Sequence, residues 1–458
     1  MKQKIDKGYR TSELIFGSFG YGAAMIFNFV YQNYVPLMLE ANLSTSIENK
    51  VISSSLLGFI MALDNILAIA LIPIFGNVSD HTRSRYGKRL PFMLVGIPIC
   101  SILFIFIPLM ARLGGKTAVI MMAVAILIFN VVYFIWRTPC HAVMGDIVPE
   151  KYQSDGNAVF NIAGACAMII SLASASILEK TSFGSGIATG DYTSIFIFGS
   201  IVALILLVCL FFGVKWKDNR NEEMEAPNKG KNFLKMFSLK EIGYTEETKH
   251  DLILVLVIAF CLSGASDAAS TYFSLFATKT LGLTASKASS INAIGTVFAV
   301  LLAIPAGIVA RKKSKGFAIK LGAALTAISH ILMIGISVAN LADPSTALTL
   351  AMIFNLGSFV FITVNTVPLL IAATGCNHVG ASIGVYLLVK TIAASILPII
   401  FGAIIGAFNN NYNLVHIICA SLYVIGFVVV GNIKVAGPID EKEQAKIEEA
   451  MKEIDDND

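Results

Sequence analysis

Four ionisable residues stand inside long apolar runs of the sequence: Asp64, Arg137, Asp267 and Lys390. A charge at the centre of a bilayer-spanning helix costs about 2.5–3.5 kcal/mol on insertion scales, so it persists mainly where it faces a partner or a hydrated cavity. A buried carboxylate can load and release a proton as cations approach and withdraw. Buried Lys or Arg can balance such a carboxylate, or donate hydrogen bonds to a solute. The neighbours fall at helical spacing. Asn130, Tyr133, Arg137 and His141 share one face, as do Ser382, Tyr386 and Lys390. A third stripe holds Ser263, Asp267, Thr271, Ser274 and Thr278; a fourth holds Tyr21, Asn28 and Gln32; Asn161 and Gly164 mark a fifth. Such stripes, drawn from both halves of the chain, should line one shared, partly hydrated cavity rather than face lipid. Trp136 offers either a stacking surface for a solute ring or a packed structural indole. Asp64 and Asp267 are the carboxylates available for cation coupling.

The elements that must position these residues are helices. Mean hydropathy is +0.74 and only 14% of the 458 residues are charged, outside the range of soluble globular chains. Twelve apolar runs of about 20 residues recur, each able to cross a hydrocarbon core of ~30 Å: 15–39, 51–75, 91–110, 117–143, 157–178, 193–214, 251–277, 287–310, 317–339, 346–373, 381–407 and 413–431. The ten-residue alternation of a membrane β-barrel is absent from the sequence. The expected fold is an all-α membrane protein. The polar start, MKQKIDKGYRTSE, followed by a run too long for a signal h-region, predicts no cleaved signal peptide. The seven cysteines are scattered and read as small buried apolar residues.

Alternate connections carry 25 of the 34 Lys and Arg, while the opposite set carries six. This bias predicts cytoplasmic N- and C-termini and a multi-pass protein of the plasma membrane. The net charge of +4 then reflects loop topology, and no nucleic-acid partner is expected. The longest polar interruption, 215–250, falls after six runs and before six more. It divides the chain into a six-helix bundle (1–214), a cytoplasmic linker (215–250), a second six-helix bundle (251–431) and a charged tail (432–458). Pro73 and Gly76 before one basic loop are echoed by Pro305 and Gly307 before another, as expected for parallel repeats.

The most concentrated charge lies in FGNVSDHTRSRYGKRLP, residues 75–91. Here Arg83, Arg85, Lys88 and Arg89 accompany Asp80, Gly76 and Gly87. This segment resembles the helix 2–3 loop of the major facilitator superfamily, and its TRSRYGKR form is most similar to the glycoside–pentoside–hexuronide:cation symporters. WRTPCHAVMGDIVPEKYQSDGNAVFN resembles the helix 4–5 region of the related sucrose:proton symporter group. LLVKTIAASILPIIFGAIIG resembles helix 11 of the melibiose-permease branch, lysine included. Aligned on TRSRYGKR, the paired helix 2 aspartates that form that branch's sodium site fall near Ala68 and Ile72, and Asp64 is the only acid in the run. Gly22 and Arg137 stand where that branch carries sugar-holding acids.

The resemblance implies secondary active transport by alternating access between two six-helix bundles. It implies symport of a sugar or glycoside with a cation, a proton being favoured over sodium, by a protein acting as a monomer in the bilayer. It reads Gly76, Asp80, Arg83, Arg85, Gly87, Lys88 and Arg89, with Asp146, as a gating latch on the cytoplasmic side. Tyr21, Asn28, Gln32, Asn130, Tyr133, Trp136, Arg137, Asn161, Thr271, Tyr386 and Lys390 are the expected substrate contacts. Two alternatives stand beside it: a lysolipid or other amphiphile carrier of the same fold, and a non-transporting membrane sensor. No HExxH, GxSxG or paired-carboxylate motif sits at a helix mouth, so neither enzymatic activity nor a cofactor or metal is expected.

Overall fold

The computed structural model describes residues 10–148, 153–216, 218–220, 246–374 and 379–433. Most of the expected linker and tail therefore lies outside the described residues. Twelve helices are long and apolar enough to cross a membrane. They are α1 Thr11–Ser46, α2 Lys50–Asp80, α3 Leu90–Ala111, α4 Gly115–Ile147, α5 Gln153–Leu178, α6 Thr193–Gly213, α7 Lys249–Thr280, α8 Ala285–Lys312, α9 Lys315–Val338, α10 Ser345–Thr374, α11 Val379–Ala407 and α12 Asn413–Val430. A helix satisfies its own backbone hydrogen bonds, which is what an apolar chain in lipid requires. Side-chain caps start several of them. Asn49 accepts from the amides of Val51 and Ile52, and Thr284 and Ser314 each accept from the amide three residues on.

The expected single helix over 251–277 is interrupted twice. Ala259–Ser263 and Phe276–Thr280 form π turns within α7. Each π turn inserts extra residue length and rotates the faces beyond it. Asp267, Thr271 and Ser274 of the expected stripe lie on the regular α segment Gly264–Leu275 between the two π turns, with Ser263 and Thr278 inside the turns themselves.

Within the N-terminal half α1 packs against α4, α5 and α6, and α3 against α4 and α6. Within the C-terminal half α8 and α9 pack on α10, and α9 on α12. The halves meet through α2–α11, α5–α8 and α1–α7, the first being the most extensive helix pair in the molecule. That pair comes together where both backbones are bare. A Cβ at Gly58, Gly402 or Gly406 would overlap the backbone of Pro398, Ser54 or Lys50 respectively. The Tyr272 hydroxyl lies across the seam, donating to the Pro398 carbonyl at 2.8 Å and facing the Ser54 carbonyl at 3.4 Å.

These contacts, with Ser54–Asn410, Ser176–Ser290, Asn33–Asn292 and the Glu40–Lys279 ion pair at 2.8 Å, lie on the face that carries the α1–α2 connection. Toward the other face, where the 81–89 loop lies, α2 becomes bare: Ile72, Ile74 and Val78 are all exposed. The structure is thus sealed on the face opposite the basic loops.

The glycine seam predicts a steric test. Gly402→Leu must part α2 from α11, and forcing extra volume into such packing costs about 1–3 kcal/mol. Spin labels at the exposed residues Ile52 and Phe408 should then report a longer and broader distance distribution. An unchanged distribution would show that the close backbone approach does not hold this face shut.

Candidate functional site

Between α1 and the C-terminal half lies a cavity of ≈ 230 Å³. Asn28, Gln32 and Asn33 line it from α1, Ser266, Asp267 and Ser270 from α7, and Asn292 and Thr296 from α8. His330, Asn355, His416 and Tyr423 complete its polar lining from α9, α10 and α12. The mixture of amides, hydroxyls and imidazoles offers both donors and acceptors, with Phe273 and Phe359 as apolar walls.

Of the residues singled out in the sequence, Asn28, Gln32 and Asp267 line this cavity. The others are placed elsewhere. Trp136 is fully buried among Phe27 and Tyr133, its Nε1 donating to Cys100 Sγ at 3.2 Å. A Cβ at Gly96 would overlap its indole, so this ring is packed and turned from any solute. Tyr133 is also buried and donates to the Ala24 carbonyl at 2.9 Å. Asn130 is buried in the same layer. Thr271 spends its hydroxyl on the Asp267 carbonyl at 3.0 Å, and Asn161 is exposed on α5. Tyr21 lies edge-on to His141, with centroids 5.0 Å apart.

The four intramembrane charges form a row across the seam. Arg137 on α4 lies within electrostatic range of Asp64 on α2, Asp64 within range of Asp267 on α7, and Asp267 within range of Lys390 on α11. Reading across, the signs run plus, minus, minus, plus. Among the described residues no direct ion pair joins any two of them. Asp64 Oδ1 accepts from the Asn65 backbone and side-chain amides at 2.6 and 3.0 Å. Arg137 sits over the Tyr133 and Phe134 rings at 5.3 and 5.6 Å, and its buried Nε has no hydrogen-bond partner. Tyr386 is buried one turn before Lys390, also within range of Asp267. Each carboxylate is therefore within range of a cation of its own half and of a carboxylate of the other half.

At the basic face Arg89 is the hub. It is buried and bonds Asp80 at 2.5 Å, Asp146 at 3.1 Å and the Ser79 hydroxyl. These groups belong to the ends of α2, α3 and α4, so the cluster ties together one half of the chain. Gly87 adopts φ +78°, closing the turn in which Ser84 Oγ donates to the Gly87 carbonyl at 2.7 Å. Arg83 and Arg85 are exposed, Arg85 lying over the adjacent Tyr86 ring, and Lys88 is half-buried. Gly76 makes no forced approach: a Cβ there would stand 3.7 Å from Thr138. Asn219, after α6, clamps the loop with bonds to Ser84 N and the Thr82 carbonyl at 2.8 and 2.9 Å.

On the opposite face a second cavity of ≈ 400 Å³ is lined by Arg112, Asp191, Tyr192 and Lys279. Burial alone would raise the Asp191 carboxyl, but hydrogen bonds from Thr193 and Arg112 outweigh it and hold the group below the usual carboxylate range.

The polar residues that the sequence reading passed over are Asn33, Ser266, Ser270, Asn292, Thr296, His330, Asn355, His416 and Tyr423. A signal was there: Asn292 and Thr296 stand four apart, and Asn292 and His330 are polar groups in apolar runs. Only the packing of α8, α9, α10 and α12 shows that they converge.

Twelve membrane-spanning apolar helices among the described residues, with a polar cavity between α1 and the C-terminal half and Asp267 in its lining, define a multi-pass membrane protein of the transporter type. The chain belongs to the Major Facilitator Superfamily, whose family model matches residues 17–398, and it is a secondary transporter of that fold. Among curated proteins it is 27% identical over 240 residues to a lactose permease of Leuconostoc lactis, covering 48% of this chain and 36% of that protein. A lactose permease of Lactobacillus helveticus is 24% identical over 220 residues, 44% of this chain and 33% of that protein. The matched stretch is thus about a third of the relatives' length.

Among solved structures, the nucleoside transporter NupG aligns with TM-score 0.64 at 13% identity over 93% of this chain and 99% of its own. A D-xylose-proton symporter aligns with TM-score 0.63 at 15% identity, covering 92% and 96%. A bacterial Spinster homologue in an inward-facing, occupied conformation gives TM-score 0.63 at 12% identity, covering 94% and 98%. At these identities the likeness is one of fold.

Breaking a buried charge pair by removing one partner is costly. Arg89→Gln strands Asp80 and Asp146 together, so the melting temperature should fall by several degrees. Asp80→Asn, at the more exposed partner, should lower it less. Equal melting temperatures for wild type and Arg89→Gln would show that the hub does not hold the three helix ends.

Proposed function

We propose that the protein is a cation-coupled symporter of a sugar or glycoside, working by alternating access, with a proton as the coupling ion. The observation that carries this reading is the row Arg137, Asp64, Asp267, Lys390 across the seam, beside a cavity rich in amides and hydroxyls. Asp64 and Asp267 come from opposite halves of the chain. While both are ionised they repel each other across a poorly screened gap, which opposes approach of the halves. A proton taken up at either carboxylate removes that repulsion, so loading the cation and closing the halves over cargo become one event. Lys390 and Arg137 keep the site from drawing in a surplus of positive charge.

The lactose permease relatives support a sugar as cargo, and the polar lining suits a polyhydroxylated solute better than a lipid tail. With the Lys/Arg-rich face taken as cytoplasmic, the conformation described here is inward-open, the Arg89 cluster serving the N-terminal half as a clamp during the cycle. Glycoside–pentoside–hexuronide:cation symporters are the family branch that this reading favours. Each elementary charge moved down 100 mV supplies about 2.3 kcal/mol, roughly a fiftyfold accumulation ratio.

Asp64→Asn in proteoliposomes carrying a proton gradient and membrane potential should reduce lactose accumulation from tens-fold toward unity. Lactose exchange with no gradient should stay within a few-fold of wild type. Proton-driven accumulation at the wild-type level would falsify the assignment of Asp64 to coupling.

A further inference from the structure

The cavity ends in a feature that the coupling row does not use. His330 on α9 and His416 on α12 are each 2% exposed, and their Nδ1 atoms are 2.9 Å apart. Tyr423 stacks on His330 at 5.5 Å, and Phe276 meets His416 edge-on at 4.2 Å. Both imidazoles line the cavity.

The hydrogen bonds around them run in one direction. Ser329 Oγ donates its single proton to the Thr326 carbonyl at 2.6 Å. It must therefore accept from Asn355 Nδ2, 2.7 Å away, which fixes that amide's orientation. The same Nδ2 lies 3.3 Å from His330 Nε2, so that nitrogen is the acceptor and His330 carries its proton on Nδ1. The short contact between the rings is then His330 Nδ1–H donating to His416 Nδ1. His416 is left with its proton on Nε2, and that buried atom has no hydrogen-bond partner among the described residues. A second proton has no free lone pair to take, since both acceptor nitrogens are occupied.

We propose that the His330–His416 pair is a built-in neutral donor for the cargo: His416 offers Nε2–H to an acceptor oxygen of the bound solute, and His330 is the positioning residue that fixes its tautomer. An orphan donor in an apolar surround costs about 1–3 kcal/mol, and an arriving hydroxyl, ring or glycosidic oxygen relieves it. The same donor gives nothing to an ammonium group or an alkyl chain, so it selects for solutes that present acceptor oxygens. A dedicated hydrogen-bonding site rejects analogues lacking the partner far more strongly than an apolar pocket does. The assignment of the cargo as a sugar rests on the function proposed above, whereas the tautomer assignment does not.

Two measurements on the purified full-length protein test the proposal separately. Ring 15N and 13C chemical shifts of labelled histidines, without ligand, should show His416 protonated on Nε2 and His330 on Nδ1. His330→Phe should turn His416 into a tautomer mixture. The reversed pair of tautomers, or a charged ring, would overturn the proposal whatever the cargo. In the second measurement lactose affinity is read by thermal shift. His416→Phe keeps the aromatic packing but removes the donor, and should weaken binding at least tenfold. His416→Gln, which restores an N–H, should stay within a few-fold of wild type. Equal affinity for wild type and His416→Phe would overturn the contact. If neither lactose, melibiose nor sucrose stabilises even the wild type, the sugar reading fails, and the imidazole pair stands or falls on its tautomers alone.

Discussion

Two carboxylates within electrostatic range of each other, one from each half of the chain, are the constraint on which the remaining arrangement depends. Asp64 and Asp267 belong to different halves of the chain, and each is backed by a cation of its own half, Arg137 or Lys390. None of the four is locked into a direct pair among the described residues. Tight ion pairs would be static, because separating them strands a buried charge. Charges held within range but out of contact can instead rebalance when one proton arrives.

The packing is built to let the halves move relative to this row. On the face opposite the basic loops, α2 and α11 meet through Gly58, Gly402 and Gly406, where the two backbones come into direct contact. The polar links across that face, Ser54–Asn410, Asn33–Asn292 and Glu40–Lys279, are single hydrogen bonds or a partly exposed ion pair, each modest in worth. By contrast, the contacts inside the N-terminal half are rigid: the Phe27, Phe104, Phe129, Tyr133 and Trp136 rings form one aromatic layer, and Arg89 holds three helix ends. Rigid halves are what rocking motion about a fixed site requires.

Much of this was legible in the sequence because lipid imposes a simple rule on backbone polar groups. Twelve apolar runs gave twelve helices within a few residues at most ends, and the four intramembrane charges stood out by cost alone. The cavity was less legible. Asn28, Gln32 and Asp267 line it, but Tyr133, on the same predicted stripe as Arg137, and the neighbouring Trp136 are spent on packing within their own half. Periodicity names a face and not the neighbour it meets. Ser266, Asp267 and Ser270 lie on the regular α segment Gly264–Leu275 between the π turns and reach the cavity, while Thr271 on the same segment bonds its own backbone. His330 and His416 lie 86 residues apart, and nothing local to either marks them as partners.

The central claim, that proton uptake between Asp64 and Asp267 permits the halves to close, is tested most directly by a distance across the basic face. Spin labels on the exposed residues Ile74 of α2 and Ile304 of α8, followed from pH 8 to pH 5 with lactose present, should draw together in wild type. In the Asp64→Asn, Asp267→Asn double variant, the same distance should be short at both pH values. A wild-type distance that ignores pH, or a double variant that still responds to it as wild type does, would contradict the account.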